Sequence, residues 1–218
     1  MTKTPDRIED LPQAEKGTHL LDMFQRIMIH YALWFSEVRS SMDDEQAMEI
    51  LEAATRKSFA IQMKRFARTF QMELQDGLPK AWLNMPIDQL DDLMKNTAIN
   101  WLANDGVWFQ SVEFSRDMQA AKACNDRCWH YFSPYEARSI KALQGLSENP
   151  GLEGLKKALN FRMYAFINSQ SIVEEGGDSF VFQMNECRVQ RARMRKGLDD
   201  YPCKSGGLVE YARFAEGV

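Results

Sequence analysis

Between Asn185 and Lys204 the chain reads NECRVQRARMRKGLDDYPCK, which sets two thiols, Cys187 and Cys203, among Arg188, Arg191, Arg193, Arg195, Lys196 and Lys204. A thiolate beside cations can attack an electrophilic carbon or bind a metal, and guanidinium and ammonium groups can hold a carboxylate. Residues 186–196 carry the pattern of a helix that opens near Cys187 and stops at Gly197, because Gly tolerates the left-handed conformation just past a helix end. Unpaired amides at such a helix start favour the thiolate form of a cysteine. Cys203 follows Pro202 and precedes Lys204, which places it on a turn beside a cation. The site this predicts is an anion pocket shaped by Asn185, Arg193, Arg195, Lys196 and Lys204, with Cys187 or Cys203 as the reactive thiol. The competing reading is structural: cations are favoured near a helix C-terminus by its dipole, and free cysteine commonly packs as a small apolar residue.

A second group lies upstream. Asp105 and Glu113 are eight residues apart in a helical stretch, so they lie about 80° apart around the axis and roughly 12 Å apart along it. That separation is too great for a shared proton and suits two acids flanking a ligand, with Trp108 and Phe109 as an apolar floor. The same spacing also fits a core stripe with exposed acids. Cys124 and Cys128 stand at i and i+4, and with Cys187 and Cys203 they would supply a four-thiolate site for zinc or iron, although neither pair forms a tight C-x-x-C knuckle. Cysteines packed between helices are the alternative. Of His19, His30 and His130, only His130 lies near other reactive types. It would serve as a base for Cys187, with Asn125 or Asn185 orienting its ring, or simply close its helix with a favourable charge.

The strings MNECRVQRARMRKGLDDYPCKSGG and DGVWFQSVE resemble an uncharacterised bacterial family described only as "cytosolic protein". At the level of pattern, that family is similar to the L-2-amino-thiazoline-4-carboxylic acid hydrolases. The first likeness covers most of residues 97–218. Members usually run on beyond the position of Val218 into a strand-rich tail with further cysteines and a C-P-P-D-like segment. The resemblance implies a cytosolic enzyme that hydrolyses a carbon–nitrogen bond in a small carboxylate-bearing compound. Arg193, Arg195 and Lys196 would hold the carboxylate, Cys187 or Cys203 would attack or bind metal, and Asp105 or Glu113 would manage protons. The rival is a non-catalytic module that senses a small molecule or a metal and signals through the surface of a helical homodimer.

The elements that must position these groups follow from the rest of the chain. Its 218 residues are 44% hydrophobic and 27% charged, ordinary values for a globular protein with a substantial core. A formal net charge of −4 argues against nucleic acid as a partner and leaves the basic cluster a local feature suited to a small anion. No apolar run is long enough for a membrane helix, the start lacks a signal peptide's apolar core, and four cysteines make no secreted framework, so the expected location is cytoplasmic.

Residues 1–16 read as a flexible arm, 17–91 as an N-terminal helical region and 92–218 as an α+β domain. Apolar spacing predicts helices over 18–40 and 43–71, one from Pro86 with Asp88 as cap through Val112, and one from Asp117 to Tyr131. Ser133, Pro134 and Glu136 carry the signature of a fresh helix start, and 152–159 forms a short helix. Residues 163–173 and 180–184 read as a β-hairpin turning through Glu175–Asp178. Gly106 inside its helix costs about 1 kcal/mol relative to Ala and leaves the backbone bare for close approach. Trp34, Phe35 and Val38 echo Trp108, Phe109 and Val112, which suggests a duplicated helical pair over 18–70 and 92–145, with Arg39 where the second copy has Glu113. The fold class is α+β, mostly helical, with a late antiparallel hairpin packed on helices.

Overall fold

The apolar period of residues 18–40 becomes one long helix, α1 (Gln13–Ser41), which begins inside the segment expected to be an arm. The computed structural model describes residues 7–174 and 176–218, so residues 1–6 of that arm and Glu175 of the expected turn lie outside the described residues. α2 (Asp44–Thr69) starts where its sequence predicts, with Asp43 Oδ1 accepting from Gln46 N at 2.9 Å. Gln62 Nε2 of α2 donates to Tyr31 Oη of α1 at 2.8 Å. α1 buries none of its residues. The chain divides into two units, Met1–Arg65 and Phe66–Val218, and the chemistry-bearing segments all fall in the second.

That second unit holds a minimal ladder of β1 (Leu74–Gln75) on β2 (Leu78–Pro79), then α3 (Lys80–Leu83) and α4 (Ile87–Ser115). The residue before α4 is Pro86, with no side-chain cap; Asp88 sits inside the first turn instead, where its charge meets the positive end of the helix. α5 (Met118–Leu143) is capped as expected, Asp117 Oδ1 accepting from Ala120 N at 2.7 Å. The predicted break before Ser133 does not occur, and α5 runs straight through Pro134. Pro134 has no N–H to give the carbonyl of His130 one turn back, and Arg213 Nε supplies the missing donor at 3.3 Å. Arg213 belongs to α8 (Cys203–Gly217), which lies along α5 so closely that a Cβ on Gly217 would stand 2.7 Å from Ala137 Cβ and 2.9 Å from the Pro134 carbonyl oxygen. A long-range contact thus overrides a local start signal.

α6 (Gly151–Leu159) follows. The hairpin forms later than its aromatic content suggested: Met163–Phe166 is a 3₁₀ turn, and the strands are β3 (Ser169–Glu174) and β4 (Phe180–Glu186), antiparallel with Ile172 opposite Phe182 and Val173 opposite Val181. Tyr164 leaves the strand pattern because its ring is buried with Leu102 and Trp129 in one of two core clusters. The other cluster joins Ala137, Ile140, Ala158, Leu159, Phe214 and Val218. Cys187 is the N-cap of α7 (Arg188–Arg195), and Gly197 at φ +64° lets Leu198 N return to the Arg193 carbonyl at 3.1 Å, ending the helix where the sequence said it would. The result is α+β and mostly helical. Among the described residues no helix is long and apolar enough to cross a membrane.

Candidate functional site

α4, the middle of α5, the 3₁₀ turn, α7 and α8 leave between them a cleft of about 660 Å³. Its inner end is organised by Arg162, which is 1% exposed. Arg162 Nε donates to Glu136 Oε2 at 2.9 Å, and its Nη2 lies 2.7 Å from Glu210 Oε1. The guanidinium is enclosed by the rings of Phe214, Tyr164, Tyr211 and Trp129, at 4.7, 5.3, 5.4 and 5.8 Å from their centroids. Burial works against its charge and the two carboxylates outweigh burial, so Arg162 is held more firmly protonated than an ordinary arginine. Glu210, Tyr164 and Tyr211 line the cleft. Burial raises the carboxyl of Glu210 against the pull of Arg162, and it pushes the phenol of Tyr211 up to about 12 with help from the charge of Glu210.

Asp105 of α4 lines the same cleft and is tied into a short chain of polar groups. Asn125 Nδ2 donates to Asp105 Oδ1 at 3.1 Å, and Asn125 Oδ1 accepts from Tyr201 Oη at 2.6 Å. Burial raises the carboxyl of Asp105 above its ordinary 3.8, with the Asn125 bond and the charge of Lys122 opposing. Lys122 is itself paired with Asp126 and stands 5.2 Å over the Tyr201 ring. Gly106 lines the cleft beside Asp105, and a Cβ there would meet nothing within 4 Å, the bare backbone its sequence position implied.

The mouth is built by α7 and the start of α8. Cys187 and Cys203, 16 residues apart in sequence, both line the cleft. Cys203 Sγ accepts from Gln190 Nε2 at 3.1 Å, while Gln190 also clamps the backbone of Tyr201 at 2.8 and 3.0 Å. Burial raises the thiol of Cys203, and the Gln190 bond partly offsets it. Arg188, Arg195 and Lys196 line the mouth, with Lys196 Nζ donating to Gln110 Oε1 at 3.2 Å. The guanidinium groups of Arg188 and Arg195 have no carboxylate partner among the described residues. Asn168 holds the start of α7 by accepting from Arg188 N at 2.8 Å. Its Nδ2 is buried with no hydrogen-bond partner, and the residue lines the cleft.

The expected site residues therefore separate. Asp105, Cys187, Cys203, Arg193, Arg195 and Lys196 come together around one cavity. Within that set Arg193 is engaged: its Nη1 and Nη2 donate to Glu113 at 2.9 and 2.7 Å, and its Nε reaches the Asp199 carbonyl. Those bonds hold the Glu113 carboxyl below its ordinary value despite burial. Trp108 is 68% exposed and lies outside the lining, while its neighbour Phe109 is buried and takes the inward position. Asn185 donates to Ser171 Oγ at 3.0 Å on the hairpin surface, and Lys204 is exposed; neither lines the cleft.

The four cysteines do not converge. Cys124 and Cys128 are exposed and stand outside the cleft, and among the described residues no three of His, Cys, Asp or Glu gather as a metal-holding group. His130 packs its ring on Tyr131 at 4.9 Å and does not line the cleft, so it is not placed to serve Cys187. Sequence reasoning passed over Arg162, Tyr164, Asn168, Gln190, Tyr201 and Glu210. Arg188 was visible in the basic run and was given no role of its own.

Residues 83–218 match the model of a family of unknown function, DUF6125, a stretch that contains every residue of the cleft. No curated protein matches the chain, and no solved structure does.

Proposed function

We propose, from the premise that the chain belongs to the family of unknown function DUF6125, that its cleft binds a small organic carboxylate and hydrolyses a carbon–nitrogen bond in it. The observation that carries the reading is the buried Nδ2 of Asn168, a donor without an acceptor on a residue that lines the cleft together with Cys187, Arg188 and Arg195. Buried donors are nearly always satisfied, and an orphan one beside a nucleophile suits an oxygen that becomes anionic during reaction. The pattern-level resemblance to thiazoline carboxylate hydrolases read in the sequence points to the same class of reaction.

In this scheme Arg188 and Arg195 hold the carboxylate. The Cys187 thiolate attacks the carbon of the carbon–nitrogen bond, and Asn168 Nδ2 donates to the oxygen that takes up the electron pair. The tetrahedral adduct collapses with cleavage of that bond. The leaving nitrogen takes a proton from water. The hydroxide so formed hydrolyses the thioester, freeing the second product as an acid and returning Cys187 to the thiolate. Free thiols at all four cysteines fit a reducing, cytoplasmic setting.

The test is amine release from a panel of N-acyl amino acids and cyclic carboxylate-bearing amides, comparing the native chain with Cys187→Ser. Turnover falling more than about tenfold at an unchanged melting temperature is the expected result. Unaltered turnover removes the thiol from the reaction. No release by the native chain across the panel favours the rival reading, a non-catalytic module that binds a small anion.

A further inference from the structure

The two ends of the cleft carry opposite charge. At the mouth stand Arg188, Arg195 and Lys196, and the acid there, Glu113, is already neutralised by Arg193. At the inner end Asp105 and Glu210 line the cleft; the half-buried Asp105 is bonded to an amide, Lys122 is paired with Asp126, and the buried carboxylates of Glu136 and Glu210 share one cation, Arg162. Buried carboxylates that outnumber their cations are costly unless a proton or another positive charge joins them. Glu210 marks where that charge would go. It is 9% exposed and lines the cleft, and its cation, Arg162, with Nη2 2.7 Å from its Oε1, is shared with Glu136. Trp129 and Tyr164 also line the cleft and already surround one guanidinium, so their faces are suited to a second cationic group. Leu102 and Phe109 make the wall between the two ends apolar.

We infer that the ligand of this cleft is dipolar: a cationic nitrogen sits at the inner end against Asp105 and Glu210, an apolar body lies along Leu102 and Phe109, and a carboxylate reaches Arg188 and Arg195 at the mouth. The inference rests on the carboxylate reading given above and adds the second charge. The raised carboxyls of Asp105 and Glu210 are consistent with it, since in the empty cleft protons hold part of the charge that the ligand nitrogen supplies.

The experiment is calorimetric titration of the full chain at pH 7 with three probes that share one ring: benzoate, benzylamine and 4-(aminomethyl)benzoate. The dipolar probe should bind at least about tenfold more tightly than either single-charge probe. Asp105→Asn should remove most of that gain while leaving benzoate within about twofold, and Arg195→Ala should weaken both carboxylates. Benzoate equal to 4-(aminomethyl)benzoate, with both still dependent on Arg195, overturns the dipolar ligand and leaves the carboxylate reading standing. Benzylamine equal to 4-(aminomethyl)benzoate, with no dependence on Arg195, overturns the carboxylate reading itself. Absence of binding by all three probes overturns both.

Discussion

Two buried arginines frame the cleft, and they are used differently. At the mouth Arg193 and Glu113 close on each other through two parallel hydrogen bonds, one guanidinium to one carboxylate, with Phe109 5.5 Å beneath. At the inner end Arg162 is shared between Glu136 and Glu210, and the nearby carboxyl of Asp105 leans on an amide, Asn125, instead of a cation. A closed pair is a clasp: it fixes α7 on α4 and has nothing left to give a ligand. An unbalanced cluster keeps unmet demand where a cavity reaches it. Burial of a charge therefore says less about function than whether its partners add up.

The largest effect should come from breaking the inner cluster. Arg162→Met leaves Glu136 and Glu210 buried without their cation and should cost about 4 kcal/mol, read as a lower denaturant midpoint at unchanged slope. Next, Asn168→Asp keeps an acceptor for Arg188 N and removes the free donor. Turnover should fall about 100-fold with KM little changed, as for loss of an oxyanion donor. At the clasp, Arg193→Lys replaces a fork by a point charge and should cost about 2 kcal/mol of stability. Because that change spares the inner cluster, the contribution of Asp105 to the pH dependence should survive it.

The smaller effects sharpen the contrast. Gly106→Ala meets no protein atom and relieves a helix-interior glycine, so it should stabilise the fold by about 0.5–1 kcal/mol while weakening the binding of benzoate. The acids of the two ends should also titrate in opposite senses. Glu113 has a lowered carboxyl, so its contribution is present above its ordinary 4.5 and is lost as pH falls through the lower folded value. Asp105 has a raised carboxyl, so its contribution is present below its ordinary 3.8 and is lost as pH rises through the higher folded value. Asp105→Asn should accordingly flatten the decline of stability on the alkaline side of that range, and Glu113→Gln should flatten the decline on the acid side. Denaturation curves collected across pH check both signs.

What could be read from the sequence was what neighbours decide. The Asp117 cap, the stop at Gly197 and Cys187 at the head of α7 depend on groups within one turn, and each stands where the pattern put it. Pro134 misled because its remedy, Arg213, is 79 residues away in sequence and leaves no local trace. Arg162 was missed for a related reason. It lies in an aperiodic connection between α6 and the 3₁₀ turn, and its partners Glu136 and Glu210 sit on two different helices. Asn168 gave no signal either, since a donor is orphaned only by what surrounds it. Trp108 and Phe109 stand together in the sequence as an expected floor, but adjacent residues of a helix point about 100° apart, so Phe109 faces inward and Trp108 is left exposed. The echo of that pair on α1 shows the same limit: Trp34 is 62% exposed, and α1 buries nothing.

The account turns on a reactive thiol reached by carboxylates through the arginines at the mouth. Alkylation of Cys187 by iodoacetate and by iodoacetamide, followed by peptide mass spectrometry on the full chain, measures that in one comparison, since the two reagents differ in a carboxylate. Iodoacetate should label Cys187 faster than iodoacetamide does, by about tenfold, and Arg195→Ala should abolish the preference. Equal rates, or a preference for iodoacetamide that Arg195→Ala leaves unchanged, would contradict a carboxylate site at Cys187.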